Sequence, residues 1–236
     1  MKKFIAIFAI TTVVSAAFAQ DTTNLRFTGV GKGRSDIKIN YDGNRANVFA
    51  GELKHKFTGG VGSLTWLNGK TLTTFCSEPT QRVTQTGSSY QQVDIPQLDP
   101  NAWRINGTAK TAAVNNLFRY GFNTVTGSGN NSMAAAFQIA VWKIGYDYDG
   151  TLGSLNLNTG RFKATMSNGD ALDSQVQVHL VNLFNGAVNG SGGSNLRVLA
   201  LHSDCDQDQI TAVPEPATLA AIGIGIAGIM RRRKKA

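Results

Sequence analysis

The chain is predicted to be an α+β protein, mainly β: a β-sandwich or barrel carrying a helical insertion of about three helices. Three observations predict this. The first half runs in short alternating apolar and polar stretches broken by glycine. The middle changes to the 3.6-residue period of helices, and a last alternating stretch returns at residues 196–202. Glycine is abundant (26 of 236 residues) and only 16% of residues are charged, which suits an exported β-rich protein better than a Lys/Glu-rich helical one.

Taken in order, residues 25–30, 37–41 and 46–57 read as strands. Residues 64–67 and 70–75 flank Asn68-Gly69, a strong hairpin signal because both turn residues tolerate positive φ. Residues 90–95 form another strand, closed by Pro96. Residues 108–120 read as a helix with Gly121 as its stop. The apolar run 132–144 is the central helix, with Asn130, Asn131 and Ser132 as N-cap candidates and Gly145 as its stop. Residues 154–157 and 161–165 form a second hairpin around Asn158-Thr159-Gly160. Residues 173–184 make a third helix before the closing strand. The domain layout expected is 1–19 signal peptide, 20–202 folded body, 203–213 polar linker and 214–236 sorting segment.

Both ends carry processing signals. Lys2 and Lys3 precede an apolar stretch and Ala17-Phe18-Ala19, so a signal peptidase is expected to cut after Ala19. At the other end Pro214-Glu215-Pro216 is followed by a mostly apolar segment, 217–230, and then by Arg231, Arg232, Arg233, Lys234 and Lys235. Fourteen helical residues reach about 21 Å, short of a hydrocarbon core of about 30 Å, and the basic cluster favours the cytoplasmic side. This end resembles the PEP-CTERM sorting signal of Gram-negative bacteria. The resemblance implies an exosortase as processing partner, transient inner-membrane anchoring, and delivery to the envelope surface or extracellular matrix.

The signals also account for the charge. The whole chain has 23 basic and 15 acidic residues, a net of +8. The signal peptide holds two basic residues, and the segment from Pro214 onward five basic and one acidic. The body therefore keeps 16 basic against 14 acidic residues, a net of +2. Nucleic acid is not an expected partner. No phosphate loop, zinc cluster or nucleotide fingerprint is found, and neither a cofactor nor a metal is expected. Asp204, Asp206, Asp208 and Glu215 mimic part of a calcium loop, but position six is Gln209 instead of glycine.

Gln138 is the awkward residue of the central helix, among Ala134, Ala135, Val141 and Trp142. A buried carboxamide costs free energy unless paired. One reading is a glutamine bonded to a loop carbonyl; the other is a side chain kept for chemistry. Cys76 and Cys205 are the only cysteines, and in an exported protein a disulfide between them is one expectation.

Phe75-Cys76-Ser77-Glu78 resembles the aromatic-Cys-x-acidic motif of bacterial surface thioester domains, and Gln138-Ile139-Ala140-Val141-Trp142 resembles their Gln-x-Ala-(Ile/Val)-Trp helix. The motifs occur in the family's order. Phe137 stands where the family usually has Thr, and Ser77 where it usually has an aliphatic residue. The resemblance implies an internal thioester between Cys76 and Gln138, surrounded by Phe75, Glu78, Phe137, Ala140 and Trp142. It further implies a protein that captures an amine-bearing target covalently and is not an enzyme. Two alternatives stand beside it. One is a non-covalent structural or glycan-binding matrix protein, with Cys76 free or bridged to Cys205 and with Trp66, Trp103, Tyr90, Tyr146 and Tyr148 as candidate sugar contacts. The other is a cysteine hydrolase, whose base would be His55, His179 or His202.

Overall fold

The structure is a computed structural model that describes residues 20–190 and 193–215. The signal peptide, Pro216, the apolar segment and the basic cluster 231–235 lie outside the described residues. Strands β1 (Thr22–Tyr41) and β2 (Asn44–Thr58) form a long hairpin. Asp42 and Gly43 turn it with φ of 49° and 84°, the positive values a two-residue hairpin needs. β3 (Thr71–Cys76) and β4 (Ser88–Val93) follow, then a one-turn helix α1 (Pro100–Trp103) and two long helices, α2 (Gly107–Ser128) and α3 (Asn131–Asp147). β5 (Phe162–Met166), α4 (Ser174–Asn189), β6 (Leu196–His202) and β7 (Gln209–Pro214) complete the order.

All pairings are antiparallel, in the order β2-β3-β7-β6-β4-β1-β5, and β1 also pairs with β2. Six strands therefore close into a ring, with β5 extending the second half of β1. The fold class is α+β, mainly β, as the alternation implied. One apolar cluster, Leu25, Phe57, Tyr90, Leu199, Leu201 and Val213, gathers strand residues with Leu64 and Leu67 of the connection between β2 and β3. A larger cluster joins the other sheet surface to the helices. Within it α3 packs against β1 and β2 on one side and α2 and α4 on the other. That explains why every residue from Met133 to Tyr146 is buried. Asn130 caps α3, its side chain accepting from Met133 N at 2.9 Å.

Even the lysine of α3 is enclosed. Lys143 Nζ donates to Asp147 Oδ2 at 2.6 Å and to the carbonyls of Thr159 and Phe162 at 2.7 and 3.1 Å. Asp147 in turn accepts from the backbone of Arg161 and Phe162, at 2.7 and 3.0 Å. This buried pair ties the end of α3 to the start of β5, and its polar atoms are shared among several donors and acceptors, as a buried charge requires.

The structure corrects four expectations. Residues 64–67 form a 3-10 turn (Gly62–Leu67) instead of a strand, because Leu64 and Leu67, three apart, both turn inward from a tight helix. Likewise residues 152–155 form a 3-10 turn, and only β5 of the second expected hairpin is a strand. Gly121 and Gly145 do not stop their helices, which run on to Ser128 and Asp147. They are points of close approach: a Cβ at Gly121 would lie 2.8 Å from Leu183 Cδ2, and one at Gly145 2.8 Å from the Trp103 ring. Lastly, residues 203–213 are not a linker. Gln209 to Val213 are buried, and β7 sits between β3 and β6. The run Ile210-Thr211-Ala212-Val213 has the composition of a strand.

Two outcomes follow from this packing. Gly145→Ala gains helix propensity, yet overpacking against Trp103 is expected to leave a net loss of about 1–3 kcal/mol, measured from the denaturant midpoint. A chain ending after Glu215 is expected to keep the native near-ultraviolet circular dichroism. One ending after Asp208 loses the strand between β3 and β6 and is expected to lose that signal.

Candidate functional site

The site forms where β2 parts from β3. The two strands pair from Lys56↔Thr71 to Leu53↔Thr74. Continuing that register would set Gly51 opposite Cys76, but pairing has ended. On the other side Phe75 and Cys76 pair with Ile210 and Gln209, and Ser77 N donates to Asp208 O at 3.0 Å. By the alternation of an antiparallel ladder, the peptide groups of Cys76 then face the gap left by β2. The Gln138 carboxamide, from α3, fills that gap. Cys76 N donates to Gln138 Oε1 at 2.9 Å, and Gln138 Nε2 donates to Cys76 O at 2.8 Å. Gln138 thus supplies one rung of a missing strand, and all three groups are buried.

The two residues singled out in the sequence are therefore brought together, 62 positions apart in the chain. Phe75 and Phe137 are also brought together, with ring centroids 4.5 Å apart, and they pack with Phe118 of α2. Since adjacent strand residues point to opposite faces, this aromatic cluster lies on the other face of β3 from the sulfur. Ala140 is buried within α3. Trp142 and Cys76 line a cavity of about 700 Å³ open to solvent, walled also by Val48, Leu53, Val83 and Gln207. The Trp142 Nε1–H is buried and has no hydrogen-bond partner among the described residues.

The sulfur is held on its own side by a residue that the linker reading hid. Cys76 Sγ–H donates to Gln207 Oε1 at 2.6 Å, while Gln207 Nε2 donates to Glu78 O at 2.8 Å. A polar chain continues from there: Tyr90 Oη and Gln209 Nε2 both donate to Gln207 O, Thr74 Oγ1 donates to Gln209 Oε1, and His55 Nδ1 meets Thr74 Oγ1 at 2.8 Å. Asp206 accepts from Thr84 and Ser88, and Trp103 Nε1 donates to Ser77 O at 3.1 Å. The signal that could have found Gln207 is its place two residues before Gln209, in a run that leads into a strand.

Burial, with the nearby Glu78 carboxylate second, pushes the Cys76 thiol far up from its usual range, so it stays protonated. The Glu78 carboxyl is itself pushed up to about 7 by burial and then by Asp208. His55 is pushed down to about 4 by burial. His55 bonds Thr74 and His202 bonds Asp208, at 2.9 Å, while His179 lies on α4; none of the three contacts the sulfur. None of the three histidines is therefore placed to take the Cys76 proton. Cys76 and Cys205 are both free, one buried and one exposed, so the disulfide expectation does not describe this fold.

The remaining candidates disperse. Asp206 and Asp208 serve hydroxyls and His202 respectively, and no metal-binding group of three or more His, Cys, Asp or Glu side chains occurs among the described residues. Trp66 is exposed beneath Lys70, whereas Trp103, Tyr90, Tyr146 and Tyr148 are core residues.

The pH dependence at Glu78 has a defined sign. Its carboxyl binds a proton more readily in the folded chain (about 7) than at its ordinary value of 4.5. Its contribution to stability is therefore complete below about pH 4.5 and is lost as pH rises through about 7. Glu78→Gln is expected to raise the melting temperature relative to the parent above pH 7 and to change the difference between the two in the pH 4.5–7 window. A difference curve flat across that window would contradict this placement of Glu78.

Among known proteins, the PEP-CTERM protein-sorting motif matches residues 212–234. No curated protein and no solved structure matches the chain. The match begins at Ala212, inside β7, so the sorting signal starts within the folded sheet. Among the described residues no helix is long and apolar enough to cross a membrane. The chain is thus an exported protein with a PEP-CTERM sorting motif, which marks it for signal peptidase and exosortase processing and for association with the cell envelope.

Proposed function

We propose that the mature protein is an envelope-surface or matrix protein that captures amine-bearing partners covalently, through an internal thioester between Cys76 and Gln138. The observation that carries this reading is the two-point hydrogen bonding of the Gln138 carboxamide to the Cys76 backbone. It fixes the electrophilic carbon beside the residue that bears the thiol, and such positioning is worth several kcal/mol to a reaction. The Cys76 N–H also points at Gln138 Oε1, where negative charge develops when the carbonyl carbon is attacked.

The chemistry balances without a cofactor. Cys76 Sγ bonds to Gln138 Cδ, the Cδ–Nε2 bond breaks, and the thiol proton leaves with Nε2 as ammonia. An amine then attacks Cδ, forms an amide at Gln138 and returns the proton to Cys76 Sγ. Each molecule reacts once, so the protein is a capture device and not a turnover enzyme. Only about one lysine in a thousand is a free amine near neutrality, so docking and desolvation of the target set the rate.

A second reading is favoured by the completeness of the same hydrogen bonds. Both polar atoms of Gln138 are already paired, so the carboxamide can serve purely as a clasp between α3 and β3 in a non-covalent matrix protein. Intact-mass spectrometry of the processed protein separates the two. The thioester form is expected to be lighter by one ammonia and to add methylamine at Gln138, whereas a full-mass protein inert to methylamine would leave only the clasp. In the full-mass form Gln138→Ala strips two buried backbone groups of their partners, and a loss of about 2–4 kcal/mol is expected from denaturant unfolding.

A further inference from the structure

We infer that Gln207 is the positioning residue for the incoming nucleophile, and that the cavity it shares with Cys76 and Trp142 is the nucleophile's way in. This rests on the thioester reading above. Gln207 Oε1 accepts the only proton that the sulfur carries. When Sγ bonds to Gln138 Cδ that proton is gone, and Oε1 is left as a buried acceptor beside the new bond. Lining an open cavity, Oε1 then takes its donor from what enters there, water or an incoming amine. The Gln207 carboxamide is held in place by its Nε2 bond, and its backbone by three further bonds. Its Nε2 is bound to Glu78 O, its backbone N to Arg82 O, and its backbone O to both Tyr90 Oη and Gln209 Nε2.

The vacancy therefore suits a group that brings an N–H. Gln207 lines the cavity of about 700 Å³, so an amine entering there can reach Oε1. Among the residues lining this cavity the ionisable groups besides Cys76 are Asp36 and Arg82, both exposed. No imidazole stands ready to take the nucleophile's proton. Instead, Gln207 Oε1 holds the N–H next to the sulfur that must receive it. The amine nitrogen bonds to Cδ, the Cδ–Sγ bond breaks, and the amine proton passes to Sγ. The bond seen between Cys76 Sγ–H and Gln207 Oε1 is then restored. An amide oxygen does not itself take up the proton at neutral pH, so the role is orientation.

The test uses the exported, processed protein and Gln207→Leu, which keeps the bulk and removes the acceptor. Intact mass first reports whether the parent carries the bond. A full-mass parent overturns the thioester reading and this inference with it. In a parent lighter by one ammonia, two probes are compared. Methylamine brings N–H donors, whereas ethanethiolate brings no hydrogen-bond donor. Gln207→Leu is expected to slow methylamine addition about tenfold or more while thiolate exchange stays within about twofold of the parent. Equal slowing of both would reduce Gln207 to a structural support, and no slowing of either would remove it from the reaction; each overturns the inference. Should Gln207→Leu fail to fold or to form the bond, Gln207→Glu keeps an acceptor at the same place. It is expected to hold methylamine addition within about threefold of the parent, and a tenfold drop confined to the amine would count against the assignment.

Discussion

A peptide group that loses its strand neighbour inside a protein must find another partner, and at Cys76 that partner is a side chain. The carboxamide of Gln138 matches a backbone peptide in shape and polarity, donating to Cys76 O and accepting from Cys76 N. Much else follows from this rung. It requires α3 to lie against the sheet, and with α2 and α4 covering its other side that helix is buried all round. It requires a glutamine at one position of that helix, because no shorter amide reaches as far. It also permits the part of β2 before Leu53 to stand away from β3, and the space so opened is the cavity that reaches the sulfur.

Around this point the protein keeps charge low and most polar atoms paired. The thiol is protonated and bonded to Gln207, and His55 is held neutral by burial. Glu78, directly after the Cys76-Ser77 corner, shares a buried region with Asp208 and is inclined to hold its proton for that reason. Such surroundings suit a neutral, donor-poor group at the strand end. They do not suit a stored thiolate, which would need a cation or an imidazole beside it. Among the described residues two nearby donors are left open, the Trp142 Nε1–H on the cavity wall and the Ser77 hydroxyl beside Cys76.

The export signal and the fold are joined more closely than two separate modules would be. β7 is an inner strand, and its last residues belong to the matched sorting motif. Glu215 N still donates to Asn195 O at 3.3 Å. Processing that removes the tail without dismantling the ring must therefore act beyond Pro214.

Local pattern by itself determined the sorting motif at the C-terminal end, the mainly-β class with its helical insertion, and the burial of α3. It also singled out Cys76 and Gln138, since a carboxamide in an otherwise greasy helix is conspicuous on any reading. Each depends on neighbours within a few positions, which a linear chain displays. Tertiary structure alone decided the rest. Gly121 and Gly145 look like helix stops because glycine is costly in a helix, and only the nearness of Leu183 and Trp103 explains why both helices pass through them. Residues 203–208 look solvated because they are acidic and polar. Their partners, Glu78, Thr84 and Ser88, lie more than a hundred residues away, and pairing across that distance turns a polar run into the buried support of a sulfur atom. Hydrogen bonds satisfied at long range leave no periodic trace, so Gln207 became visible only when the ring closed and set it against Cys76.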